Sequence, residues 1–435
     1  MSVENRRRWI IPEDSNWSLK QVPFLSELCL HSIVTNIQVK PIYGELSPSE
    51  QKYIQETLSI HTPLSLTSKL IPDGAYWQKR CKELWHNCDA SNHGQSWKRL
   101  FFERYLENLI ELYIPNVTLL KSILDMLPLC KDLVKRLDIQ ELLVPIEKPE
   151  EQHMELNNIH NDDEICLDHF NFNALLGKLC NLEELHLVYR IKQCGMNYQK
   201  EMFQMTQKDC ETLAQAVKSC NSLKVLHLYQ SSVGDAQCRL LVKHLLDHPS
   251  LTKLDFSFNV IGDRGARAVA KLLTRSKLIS LNLYFNQIQD HGAKALAHAL
   301  SHGSTLEELN LGINRVGDEG AQAIVSALRN NSCLKTLNLS GAGAAGQTTA
   351  ALCTLLLHNR TLSSINLCHS KLGADGGRAL REAMSQNSTV VKFDLDLTGM
   401  EEEDTDSIQK VVRANEHAHK TTKQVNNVKQ ETSTP

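Results

Sequence analysis

Between residues 223 and 395 the chain states one phrase seven times: apolar, two variable, apolar, one variable, apolar. Leu223, Leu251, Leu278, Leu306, Leu334, Leu362 and Val390 open it, at steps of 28, 27, 28, 28, 28 and 28 residues. So constant a period does not fit a single globular core, where every segment packs differently. It specifies copies of one small unit that bury their apolar faces against each other.

Residues 251–277 read LTKLDFSFNVIGDRGARAVAKLLTRSK. Leu251, Leu254 and Phe256 alternate as in a short strand with one buried face. Ala266, Val269, Ala270, Leu272 and Leu273 then form a helical stripe, and the alanines let that helix lie close to its strand. Asn259 sits at the turn between them, with Asn286 and Asn314 as its equivalents. An amide there can bond backbone groups that a tight loop leaves unpaired. Ser231, Ala342, Ser370 and Thr398 replace it in other units, so looser turns are expected there.

The phrase extends upstream to Leu182-Leu185-Leu187 and Val134-Leu137-Ile139, which makes nine strands. The wider spacings, 41 and 48 residues, call for insertions near 146–168 and 190–209. The first is acidic and reads as a mobile loop. The second holds Tyr198 and Phe203 and reads as folded against the rim. Residues 129–400 are thus expected to form an α/β solenoid, a curved parallel sheet with outer helices. Residues 401–415 read as a terminal helix and 416–435 as a disordered tail.

Residues 1–128 lack the period and carry prolines at 12, 23, 41, 48, 63, 72 and 115. Helical stretches lie between them, clearest at 97–114. There Leu100, Phe101, Tyr105, Leu109 and Leu112 share a face, while Arg99, Glu103 and Glu107 lie off it. All five tryptophans, at 9, 17, 77, 85 and 97, fall in this region. A compact helical domain capping the open end of the solenoid is expected.

A net charge of −3 gives no bulk attraction for nucleic acid or an anionic membrane. No run of 18 apolar residues is present. Thirteen cysteines, an odd number without a C-x-x-C pair, read as reduced thiols.

Gly341 to Thr348 approaches a phosphate-binding loop, but Gln347 stands where lysine is needed. Cys81, His86, Cys88 and His93 alternate in type at gaps unlike those of structural zinc sites. His248, His298, His302 and His358 fall at helix ends. No catalytic group, metal, cofactor or small-molecule substrate is expected.

Side chains facing out of the concave sheet include His186, His227, Tyr229, Asp255, Phe258, Asn282, Tyr284, Phe285, Asn310 and Ile313. Tyr229, Phe258, Tyr284 and Phe285 fall on adjacent units. Exposed aromatics gather at binding hot spots, so a partner protein is expected to contact this group. Cover by another part of the chain is the plainer reading.

The phrase LxxLxLxxNxIgdxGaxxLaxaL resembles the ribonuclease-inhibitor type of leucine-rich repeat, a fold that hosts many binders. Further phrases are more specific: IIPEDSNWSL (10–19), VPFLSELC (22–29), GQSWKRLFFERYLENL (94–109), LEELHLVY (182–189), CGMN (194–197), LLDHP (245–249) and NVIGDRGAR (259–267). Together they resemble the t-complex-associated testis-expressed family of nexin–dynein regulatory complex subunits. The resemblance implies a scaffold in the cytoskeleton of the cytoplasm, at the axoneme of motile cilia and sperm flagella. It implies other subunits and axonemal proteins as partners. Two other classes compete. One is a GTPase-activating protein, acting through an arginine such as Arg264 or Arg315. The other is an actin-capping binder.

Overall fold

The structure, a computed structural model, describes residues 24–145, 168–192, 196 and 200–431. The insertion expected at 146–168 therefore lies almost wholly outside the described residues, as does Tyr198.

The chain divides into two compact units. The first comprises residues up to Tyr105 together with Pro128–Leu133, and the second comprises Leu106–Leu127 and Val134 onward. The division falls near 105, not at 128, and runs through a helix. Among the described residues six helices precede the sheet: α1 Leu25–Asn36, α2 Pro48–Thr57, α3 Leu64–Leu70, α4 Ala75–Leu84, α5 Trp97–Glu111 and α6 Lys121–Cys130.

The core of the first unit is aromatic. Trp77 is fully buried, with ring centroids of Tyr76, Phe101 and Phe102 5.2, 5.2 and 5.3 Å away. Its indole N–H donates to the Ile71 carbonyl at 3.3 Å, which satisfies the one polar atom the ring buries. The 94–109 phrase thus supplies two of these core rings, Phe101 and Phe102. Glu103, expected on the outer side of its helix, is buried instead. It takes hydrogen bonds from Arg99 Nε at 2.8 Å and pairs with His93 Nδ1. Periodicity places a residue on a face but does not show that a partner neutralises it there. Leu112, expected inside, is 64% exposed, one residue past the helix end.

The second unit is a single nine-stranded parallel sheet in sequential order. Its strands are β1 Arg136–Ile139, β2 Glu184–Leu187, β3 Val225–Leu228, β4 Lys253–Asp255, β5 Ser280–Asn282, β6 Glu308–Asn310, β7 Thr336–Asn338, β8 Ser364–Asn366 and β9 Lys392–Asp394. Leu137, Leu185, Leu226, Leu254, Leu281, Leu309, Leu337, Ile365 and Phe393 stand in register across it. Each is at most 2% exposed.

Helices alternate with the later strands: α7 Gln207–Ser219, α8 Asp235–Leu245, α9 Asp263–Arg275, α10 Asp290–Ser301, α11 Gly317–Ala327, α12 Gly346–His358 and α13 Gly373–Ser385. Neighbouring strands need about 4.8 Å and neighbouring helices about 10 Å. The stack therefore bends with its sheet on the inner, concave side.

Three side-chain columns tie unit to unit. Asn259 Nδ2 donates to the carbonyls of Leu228, Phe256 and Ser257, and its Oδ1 accepts from Ser231 N and Val233 N, all within 3.1 Å. Asn286 and Asn314 repeat the pattern, accepting from Ile261 N and Ile288 N. Where that column ends, another is in place at the far side of the units. Asn331, Asn359 and Asn387 each donate back to the preceding unit (Leu300 O, Leu328 O and Leu356 O) and accept two amides of their own turn. Asn415 closes the series, donating to Asn387 O and Val390 O. The turns after 334 thus lie in units that keep amide cross-links, contrary to the looseness expected from Ala342, Ser370 and Thr398. Ser370 does leave its buried hydroxyl without a partner.

The third column is acidic. Asp235 Oδ1 accepts Gly262 N and Gly265 N, and Asp263 Oδ1 accepts Gln289 N and Gly292 N. Each carboxylate thereby caps the helix of the next unit, whose first amides lack partners of their own.

Both ends of this unit are closed. Glu107 and Glu111 accept from Asp138 N and Gln140 N, at 2.7 Å each, along the edge of β1. At the other end α14, Glu402–Glu431, buries Ile408 and Val412, and Gln409 Nε2 donates to Phe393 O at 2.7 Å. This helix runs past 415 through most of the expected tail. Its polar composition reads as a tail, but no proline or glycine interrupts 402–431. The second insertion returns at a short 3-10 turn, Lys200–Phe203. There Ser232 Oγ donates to Phe203 O and Met205 N donates to Ser231 O, joining it to a repeat turn.

Candidate partner-binding face

On the concave side one row reads Asp138, His186, His227, Asp255, Asn282, Asn310, Asn338, Asn366 and Asp394. The expected concave residues Asp255, Asn282 and Asn310 stand side by side here. Most of the row also has local work: Asp255, Asn282, Asn310, Asn338 and Asn366 each accept the amide two residues on, ending their strands in Asx turns. Asn282 Nδ2 also donates to Asp255 Oδ2 at 2.8 Å.

The two histidines touch, ring centroids 4.2 Å apart. Burial, then the charge of His227, push His186 down to about 4. Burial likewise lowers His227. Both imidazoles are therefore neutral at neutral pH.

Just beyond the strands the chain turns through the left-handed region in unit after unit. Gln230, Phe258, Phe285, Ile313, Gly341, His369 and Leu397 all have φ between 50° and 61°. Glycine or asparagine adopts this conformation at least cost, and a β-branched residue is the worst suited. Gly341 shows the cheap solution. Phe258, Phe285 and Ile313 are the costly one, and Phe258 and Phe285 remain 46% and 52% exposed.

They form one ridge. Phe258 stacks on Phe285 at 5.3 Å and meets Tyr284 edge-on at 5.4 Å. A Cβ on Gly312 would lie 3.0 Å from Tyr284 Cδ2, and one on Gly341 would lie 2.7 Å from Ile313 Cδ1. Those glycines leave room for the ridge side chains to lie flat across the next unit. Tyr229, expected in the cluster, instead sends its hydroxyl to Gln140 Oε1 at 2.7 Å. Below the ridge lies a trough of about 400 Å³, lined by His227, Lys253, Asp255, Asn282, Glu308 and Asn310 among others.

The other sequence candidates are accounted for. At Gly346, where a phosphate would meet the start of α12, Asp318 already accepts Ala345 N, Gln347 N, Thr348 N and the Thr348 hydroxyl. Burial disfavours that carboxylate, but the Thr348 hydroxyl and these amides outweigh it and hold its pKa below the usual range. The chain supplies its own anion. In the first unit His93 pairs with Glu103, and the Cys81 and Cys88 thiols donate to backbone carbonyls. Burial pushes the Cys81 thiol up to about 12. Among the described residues no helix is long and apolar enough to cross a membrane.

Sheet, helices and asparagine columns define a leucine-rich-repeat solenoid of the ribonuclease-inhibitor type. The leucine-rich-repeat family model matches residues 247–270, 276–297 and 302–325. The resemblance carried by the longer phrases is borne out by curated relatives named dynein regulatory complex subunit 5. The mouse (Mus musculus) protein is 45% identical over 270 residues, 61% of this chain and 54% of its own length. The macaque (Macaca fascicularis) protein is 45% identical over 306 residues, 69% of this chain and 61% of its own. The human (Homo sapiens) protein is 43% identical over 271 residues, 61% and 54%. The chain thus spans a little over half the length of the relatives it matches.

Proposed function

We propose that the chain is a non-enzymatic scaffold subunit of a nexin–dynein regulatory complex. In that role it helps link doublet microtubules and regulate dynein-driven motility of cilia and sperm flagella. It grips another axonemal protein through Tyr284, Phe285, Phe258 and Ile313, with Asp255, Asn282 and Asn310 below and Tyr229 at the flank. The carrying observation is the ridge: large apolar side chains held exposed at left-handed positions where glycine would fold more easily. Local strain kept at an exposed apolar patch fits a binding role better than a structural one. Identity of 43–45% to proteins named dynein regulatory complex subunit 5 supports this reading of the biological setting.

The test is incorporation of the tagged full chain into axonemes of ciliated cells lacking the endogenous protein, read by cross-linking mass spectrometry. The intact chain should cross-link to other subunits. Phe258→Gly with Phe285→Gly should keep stability within about 1 kcal/mol, because glycine suits those turns. Loss of the buried side chain in Leu281→Ala should cost about 2–5 kcal/mol. The glycine variant should nonetheless lose incorporation about tenfold. Full incorporation of that variant removes the ridge from the interface, and absence of the intact chain from axonemes overturns the assignment.

A further inference from the structure

The concave face carries more carboxylates than cations. Facing positions of β1 to β6 hold Asp138, Glu184, Asp255 and Glu308 against Arg136 and Lys253, a net of 2 − 4 = −2 with both histidines neutral. Arg136 bridges Asp138 and Glu184 at 3.2 and 3.4 Å. Each end holds one cation against two carboxylates: Arg136 at β1–β2, and at β4–β6 Lys253, which lines the trough with Asp255 and Glu308. There Asp255 is met by Asn282 and Ser257, neutral groups that hold a carboxylate in place without cancelling its charge. Glu308 lies exposed on the same wall. His186 adds a buried Nε2 without a hydrogen-bond partner, beside His227 on this face. The ridge follows the trough along the chain: Tyr284 stands two residues after Asn282, whose Oδ1 accepts the Tyr284 N–H at 3.0 Å.

Building on the binding role proposed above, we infer that the segment received here is basic, a stretch of another protein that sets aliphatic or aromatic side chains on the Phe258–Tyr284–Phe285–Ile313 ridge and lysine or arginine on Asp255 and Glu308. An acidic segment would face two carboxylates against one lysine, Lys253, with low-dielectric walls behind them. An apolar segment without charge would bury two carboxylates with Lys253 alone to answer them, leaving one charge in excess at high desolvation cost. A basic one meets both demands, and the two carboxylates, two strands apart and offset by two residues along the strand, stand about 12 Å from each other. Cations at both ends of roughly two helical turns, or of about four residues of extended chain, span that distance.

The probe is a random-sequence peptide library displayed on phage and panned against the full chain, followed by anisotropy titrations of recovered peptides. Peptides that bind should carry net positive charge with large apolar side chains. Their affinity should fall about tenfold in Asp255→Asn with Glu308→Gln, and less steeply with salt in that variant than in the intact chain. Recovery of acidic or neutral peptides, or equal affinity for the amide variant, overturns the inference. Loss of binding in Phe258→Gly with Phe285→Gly but not in the amide variant leaves the ridge as an interface and removes only the basic partner. Binding unmoved by either variant removes both.

Discussion

Asn259 and His186 are each buried polar side chains, yet only one was legible as structural from the sequence. Asn259 recurs at the repeat period, so its role could be read as a rule for all its copies. The pairing of His186 with His227 depends on register between strands 41 residues apart, across an insertion of unknown length in space. Its cost follows from charge. In the unfolded chain His186 titrates near the ordinary histidine value of 6.5, while in the fold burial and the charge of His227 push it to about 4. The unfolded state therefore binds the extra proton throughout that window, and stability rises with pH across it. The contribution is complete above about pH 6.5 and gone by about pH 4. Chemical denaturation between those limits should show a decline on acidification that His186→Gln makes shallower. An unchanged slope in H186Q would place the acid sensitivity elsewhere.

Individual elements show the same divide between what repeats and what does not. All nine strands were readable, because each carries the leucine phrase, and so were the helices between them. The asparagines at 331, 359, 387 and 415 also recur at 28 residues, but the first three sit after their helices and Asn415 within α14, all outside the leucine phrase. The aspartate caps escaped for a different reason: an acidic residue at a helix start is explained locally by the dipole, so nothing marks its bonds to the next unit. The aromatic ridge was legible as a cluster, but the hydroxyl partner of Tyr229 was not, because Gln140 comes from just past strand β1, 89 residues earlier. These columns differ in what their loss exposes. Asn259→Ala would strand two buried amides and up to three carbonyls, for a cost of about 2–4 kcal/mol. Asn387→Ala should cost a similar amount, since it too serves two amides and one carbonyl of the preceding unit. Urea titrations of the two variants would compare them. Little loss at Asn387 alone would restore the expectation of a looser C-terminal half.

For the solenoid as a whole, stability is a sum over units and their interfaces, so its ends decide where opening begins. The last unit depends on α14, which supplies Ile408 and Val412 to the core, Gln409 to Phe393 O and Asn415 to Asn387 O and Val390 O. Asp404 adds an ion pair with Arg381 at 2.7 Å. All of these contacts lie between 404 and 415, although the helix continues to Glu431. Two truncations therefore separate capping from any role of the extension. Ending the chain after Asn415 should leave thermal stability and the hydrogen exchange of β8 and β9 nearly unchanged. Ending it after Met400 uncovers β9, which presents unpaired backbone and an apolar edge to solvent. Exchange should then accelerate first in β9, next in β8, and progressively less toward β4, with self-association through the bared edge. Uniform acceleration across all nine strands would mean that the stack melts as one block, not unit by unit from its end.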